Sequence, residues 1–186
     1  MACLNVQEQI GKDYLYIAFQ RAGAADPDAR LILNDYSNEY AGTAKADGFY
    51  ALVKDLKDRG IPIDGVGLQL HLMARDPVSE EALLENIRRF ADLGLFVSFT
   101  EIDVRVATPL TAEREAEQSA AYSKLMEIAL GEKNAGSFIM WGFSDKRSWI
   151  PRAFPGFGYA HLYDQNDKPK PVYFRLKDII SGKKTD

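Results

Sequence analysis

The sequence predicts an α/β fold built on parallel strands. Three observations lead there. Short apolar runs alternate with helical stretches of roughly 15–20 residues, an order that calls for parallel pairing and right-handed crossovers. Each of the four apolar runs ends in polar or aromatic residues: Asn34-Asp35-Tyr36, Gln69 and His71, Glu101 and Asp103, Trp141 and Asp145. No GxGxxG or GxxxxGK[ST] follows any of them, so nucleotide-binding folds lose support. An open doubly wound sheet and a section of a (β/α)8 barrel both satisfy the alternation, and in both the C-terminal strand ends hold the site.

Taken in order, residues 8–24 space apolar side chains at Ile10, Tyr14, Ile17 and Ala18 as a helix does, and Pro27 ends it by biasing Asp26 out of the helical region. RLILNDY (30–36) reads as a buried strand. In 42–60, Phe49, Leu52, Val53 and Leu56 share a helical face, and Gly60 is a stop signal. GVGLQLHLM (65–73) is the second strand. SEEALLENIRRFADLG (79–94) is a helix with Ser79 as N-cap and acids in its first turn. LFVSFTEIDVRV (95–106) is the third strand, and 111–131 is a long helix capped by Thr111. GSFIMWGFSD (136–145) is the fourth strand, and 169–180 a closing helix. This reading puts Leu31, Leu33, Val66, Leu68, Val97, Phe99 and Ile139 on the inner strand faces, with Phe138 on the outer side.

The chain has 186 residues, enough for one domain with a real core. Its net charge is −4, from 23 Lys+Arg against 27 Asp+Glu, and no basic stripe exists to neutralise phosphates, so no nucleic-acid partner is expected. Apolar runs are short and broken by charge, so no membrane partner is expected either. The single cysteine, Cys3, excludes an internal disulfide and a cysteine metal cluster. Asp164, Asn166 and Asp167 do not follow an EF-hand spacing and read as a polar turn, so no metal is expected. Residues 1–14 lack the basic and long apolar segments of a signal peptide.

Four segments carry a resemblance in order and spacing: LILNDYSNEY, GIPIDGVGLQLHL, FVSFTEIDVRV and FIMWGFSDKRSWIP, with DQNDKPKPVYFRLKDII behind them. Together they resemble the last four strands and last helix of glycoside hydrolase family 10, the retaining endo-β-1,4-xylanases built on a (β/α)8 barrel. The resemblance covers nearly the whole chain, with TEID and WGFSDKRSW the most telling parts. It implies a partial barrel, residues 1–186 being the C-terminal half of the catalytic domain and the strands matching the fifth to eighth. It implies xylan or xylo-oligosaccharides as substrate, no cofactor, and action outside the cell or in the periplasm. The family's acid/base glutamate, at the end of the fourth barrel strand, has no match here. Glu8 lies at the start of a helix and is a poor substitute.

Retaining hydrolysis uses two carboxyl groups roughly 5–5.5 Å apart. By the resemblance Glu101 is the nucleophile, and Asp103, two residues on and on the same side of the strand, is a supporting carboxylate. His71 matches a histidine that hydrogen-bonds the nucleophile and helps keep it ionised. Gln69 points the same way and is a polar candidate for substrate. Trp141 and Trp149 match substrate-binding tryptophans, a flat ring packing against the C–H faces of a sugar. Asn34 and Tyr36 resemble cleft positions but could equally close a loop, Asp35 could equally be structural, and Ser37 stands where the family often has Asn. His161 has no matching role and reads as a loop residue. The rival readings are a non-catalytic carbohydrate-binding half-site and an assembly module. Four strands leave two open edges, so a homodimer or a complementing N-terminal half-barrel is the expected partner.

Overall fold

The computed structural model describes Gly11 and residues 13–182. Cys3, Glu8, Ile10 and the start of the first expected helix lie outside the described residues. Helix α1 (Tyr14–Ala25) leads into β1 (Ile32–Asp35), α2 (Ala44–Asp58), β2 (Gly65–Leu68), β3 (His71–Met73), α3 (Glu80–Asp92), β4 (Phe96–Ala107), α4 (Ala112–Gly131) and β5 (Ala135–Met140). A 3-10 turn (Asp145–Arg147), the short α5 (Ile150–Ala153), β6 (Phe157–Gly158) and α6 (Pro171–Ile180) complete the order. Strands β1, β2, β4 and β5 pair in parallel, in that spatial order. This is the expected parallel α/β sheet with helices, a partial barrel.

The expected strand over 65–73 is broken in two. Leu70 has φ +61, and β2 and β3 pair with successive parts of β4, Leu68 opposite Phe99 and His71 opposite Asp103. Three residues on one side span four on the other. The same excess appears against β5, where Phe138 and Met140 stand opposite Phe99 and Ile102. Strand β4 therefore carries one extra residue at Thr100–Glu101, a bulge that reverses the alternation beyond it.

The bulge decides which side chains face where. Val97 and Phe99 before it, and Ile102 and Val104 after it, are fully buried in the core with Leu83, Ile87 and Phe90 of α3 and Tyr122 and Leu125 of α4. Val66 and Leu68 belong to the same core, and Leu31 and Leu33 pack against it. The expected inner placement of these six residues is thus corrected: they lie under the helices, because the apolar strand positions of this sheet serve the helix layer. Ile139 does lie on the inner face, half exposed, and Phe138 packs on the outer side against Phe99.

The inner face is made of small and polar groups instead. A Cβ on Gly65 would stand 2.7 Å from the Phe96 ring, and one on Gly67 would collide with the Asn34 carboxamide. Strand β1 is more open than expected, with Ile32 and Asn34 on its open side. Strand β6, not foreseen, pairs antiparallel with the end of β4. Thr111 caps α4 by accepting from the Arg114 N–H, whereas Ser79 makes no side-chain cap bond at α3. Among the described residues no helix is long and apolar enough to cross a membrane.

Candidate active site

Glu101 sits in the bulge of β4, its side chain on the inner face and 15% exposed. Its Oε1 accepts from Asn34 Nδ2 at 2.8 Å, and its Oε2 lies 3.4 Å from His71 Nε2. Asn34 reaches across because Gly67, on the intervening strand, has no side chain to block it. Thr100, also turned to the inner side, donates its hydroxyl to Asn34 Oδ1 at 2.8 Å and fixes that amide. A bulge that sends two consecutive side chains to one face is what lets Thr100 orient the partner of Glu101.

Asp103 is fully buried. Its Oδ2 is shared by His71 Nδ1 at 3.0 Å and the indole N–H of Trp149 at 2.7 Å. His71 therefore spans two carboxylates, one at each ring nitrogen. Its burial works against a charged ring, but the hydrogen bond and charge of Asp103 and the charge of Glu101 outweigh this and raise its pKa above the ordinary imidazole value. As an imidazolium it donates to both neighbours. The Arg105 guanidinium, stacked on Phe154, donates to the carbonyl of His71 and steadies β3 beneath the ring.

Trp141 and Trp149 both stand edge-on to His71, at centroid distances of 6.3 and 5.1 Å. Trp141 is 49% exposed, and Trp149 is held by Asp103 and Phe154. The structure thus gathers Asn34, His71, Glu101, Asp103, Trp141 and Trp149 into one cluster. Tyr36 stands apart, 60% exposed under the Lys45 ammonium, which also pairs with Asp35. Gln69 lies at the break between β2 and β3, its backbone N–H on Asp35 O. Ser37 takes a left-handed backbone, φ +53, in the turn after β1.

Several supporting residues escaped the sequence reading. Asn86 holds the loop after β1 through the carbonyls of Asn38 and Glu39. Glu39 is buried, which raises its carboxyl pKa against the pull of its own and Asn38's N–H and of His71. Asp145 and Lys170 form a buried pair at 3.2 Å, and Lys170 also donates to the carbonyls of Tyr159 and His161. His161 lies outside any helix or strand, yet it is 1% exposed and its N–H donates to Asp145. Only the position of Asp145 inside WGFSDKRSW hinted at this network. Asp164, Asn166 and Asp167, read as a polar turn, do form one, with Asp164 accepting from the N–H groups of Asn166 and Lys168. Among the described residues no group of three His, Cys, Asp or Glu side chains could hold a metal ion.

These features place the chain with the (β/α) barrel proteins, whose sites are carried on the C-terminal ends of parallel strands. The particular family follows from comparison. The model of glycosyl hydrolase family 10 matches residues 3–179, and the chain belongs to that family. It is 38% identical over 177 residues to endo-1,4-β-xylanase B of Thermotoga neapolitana, covering 94% of this chain and 50% of the relative. It is 40% identical to endo-1,4-β-xylanase D of Talaromyces funiculosus, covering 91% of this chain and 41% of the relative. Among solved structures, xylanase 10B from Thermotoga maritima superposes with a TM-score of 0.90 at 39% identity, over 95% of this chain and 54% of that one. Xylanase 10B from Thermotoga petrophila, solved with xylobiose, gives 0.91 at 37% identity, over 98% and 56%. The chain spans about half the length of these relatives.

Proposed function

We propose that residues 1–186 form the C-terminal half of a retaining endo-β-1,4-xylanase barrel, with Glu101 as nucleophile. The observation that carries this is the setting of Glu101: one oxygen on Asn34, the other facing His71, at the bulge of β4 on an open face beside Trp141. Glu101 attacks the anomeric carbon, the glycosidic C–O bond breaks, and the leaving oxygen takes a proton from an acid. Water then hydrolyses the glycosyl ester. Asp103 is unsuited to be that acid, being fully buried and occupied by His71 and Trp149. By the family resemblance the acid/base group belongs to the other half of the barrel. Trp141 and Trp149 pack against xylose rings, and Asn34, Tyr36 and Gln69 supply polar contacts along the cleft. Polymeric xylan does not cross a membrane, so the proposed place of action is extracellular or periplasmic.

The test is covalent capture. From a dinitrophenyl xylobioside carrying fluorine at the second carbon, dinitrophenolate leaves without acid assistance as the ester forms, and the fluorine slows its hydrolysis so that the ester is trapped. It is offered to the chain alone and to the chain mixed with the first four β/α units of a family member. Peptide mapping is expected to place the label on Glu101 and to find none in Glu101→Gln. A label on another carboxylate, or no label in either preparation, overturns the assignment.

A further inference from the structure

Asp103 and His161 each carry a buried polar atom without a partner. Asp103 uses only Oδ2, for His71 and Trp149, while its Oδ1 is buried and unpaired. The second is Nδ1 of His161, equally buried and unpaired. An unmet buried acceptor and an unmet buried ring nitrogen each cost stability, so both call for a partner.

The backbone brings the two residues near one another, and the charge of Asp103 is felt by the His161 ring. Val104 N–H, next after Asp103, donates to the carbonyl of Ala160, next before His161. Trp141 N–H donates to Ile102 O, on the other flank of Asp103, and the His161 ring lies against the following residue, Gly142. A Cβ there would stand 3.3 Å from its Cε1, and Gly142 has φ +115, so glycine alone fits both the backbone and the imidazole. His161 is clamped through its own backbone, its N–H on Asp145 and its carbonyl on Lys170.

We propose that His161 is a positioning residue for Glu101: its Nδ1–H supplies Asp103 Oδ1, directly or across one water, so that two imidazoles share one buried carboxylate. Asp103 then holds His71 by one oxygen and is itself held by the other. The groups facing His161 are Asp103 from β4, Asp145 from the 3-10 turn, Lys170 at the start of α6, and Tyr122 of α4, whose hydroxyl donates to Ala160 O. Burial lowers the His161 pKa, with Lys170 adding to it and the two carboxylates opposing, so the ring is a neutral donor near neutral pH. His71 faces Glu101 and Asp103 from β4 and Glu39 from the loop after β1. A donor on Oδ1 draws part of the Asp103 charge away from His71. His161 thereby sets the pH range over which His71 keeps the proton directed at Glu101. The catalytic consequence rests on Glu101 being the nucleophile, whereas the placement of the proton does not.

The chain has only two histidines, so nitrogen-15 NMR of its imidazoles is unambiguous. Near neutral pH, His161 is expected as the Nδ1–H tautomer, the minor form of free histidine. In His161→Leu the titration midpoint of His71 is expected to rise by about half a pH unit, roughly threefold in proton affinity. His161→Asn, whose amide can place a donor near the Nδ1 position, is expected to restore it. A protonated Nε2 on His161, or a His71 midpoint unmoved in His161→Leu, overturns the proposal. If the leucine variant fails to fold, the wild-type tautomer decides.

Discussion

Asn34 is the residue on which the setting of Glu101 most depends, because it is fixed on one side by Thr100 and gives its other amide group to the carboxylate. A hydrogen bond to a charged group contributes about 1.5–3 kcal/mol. Asn34→Ala is therefore expected to slow covalent labelling of Glu101 by roughly 10–100-fold while the chain still folds, as read by single-turnover mass spectrometry. The two tryptophans separate in their consequences. Trp141 is half exposed and stands edge-on to His71, so Trp141→Ala is expected to weaken xylo-oligosaccharide binding by roughly 1–3 kcal/mol with little change in the thermal midpoint. Trp149 also donates to Asp103, so Trp149→Ala is expected to lower both the affinity and the midpoint. Titration calorimetry and thermal unfolding of the two variants check both statements.

At the scale of elements, the cap residues test how far local chemistry governs the helices. Thr111→Ala removes a bond that α4 uses and is expected to cost about 1 kcal/mol in denaturant unfolding. Ser79→Ala removes a hydroxyl that α3 does not use and is expected to cost close to nothing. Both residues look alike in the sequence, and only the backbone geometry separates them. The same limit explains what else was legible. The order of helices and parallel strands follows from apolar spacing, and the site residues at strand ends follow from residue type and position. The bulge at Thr100–Glu101 does not, because VSFTEIDV alternates plausibly in either parity until neighbouring strands count the extra residue. On β1, β2 and the first part of β4 the expected inner residues lie under the helices instead, because apolar residues mark a buried face and in this sheet the helix-covered face is the more apolar one, whereas Ile139 and Phe138 of β5 lie as expected. His161 was illegible because its partners, Asp145 and Lys170, are distant in sequence and converge only through loops.

For the whole molecule, the parallel sheet ends at β1 and β5, each paired on one side only among the described residues. Ile32 and Ile139 stand on the open inner face. Beside β5 an apolar groove runs between Phe138, Met140, Leu162, Tyr173, Leu176 and Ile180. Strand edges and apolar surface of this kind favour association. We expect the isolated chain to pair with a second copy, and to exchange that copy for the first four β/α units of a family member when these are supplied. Light scattering behind size exclusion checks this. A monomeric mass at tens of micromolar, with a cooperative thermal transition and no second half added, excludes the homodimer.

The position of His71 between the only two indoles of the chain has an optical consequence. A protonated imidazole quenches excited indole by accepting an electron, and a neutral one does so poorly. All tryptophan emission of this protein therefore originates within reach of one titrating ring. Because that ring holds its proton above the ordinary imidazole value of about 6.5, emission is expected to be dim at and below that pH and to brighten as the pH rises past it. His71→Gln is expected to flatten the curve, so that a cuvette measurement reads the protonation state of the group facing Glu101.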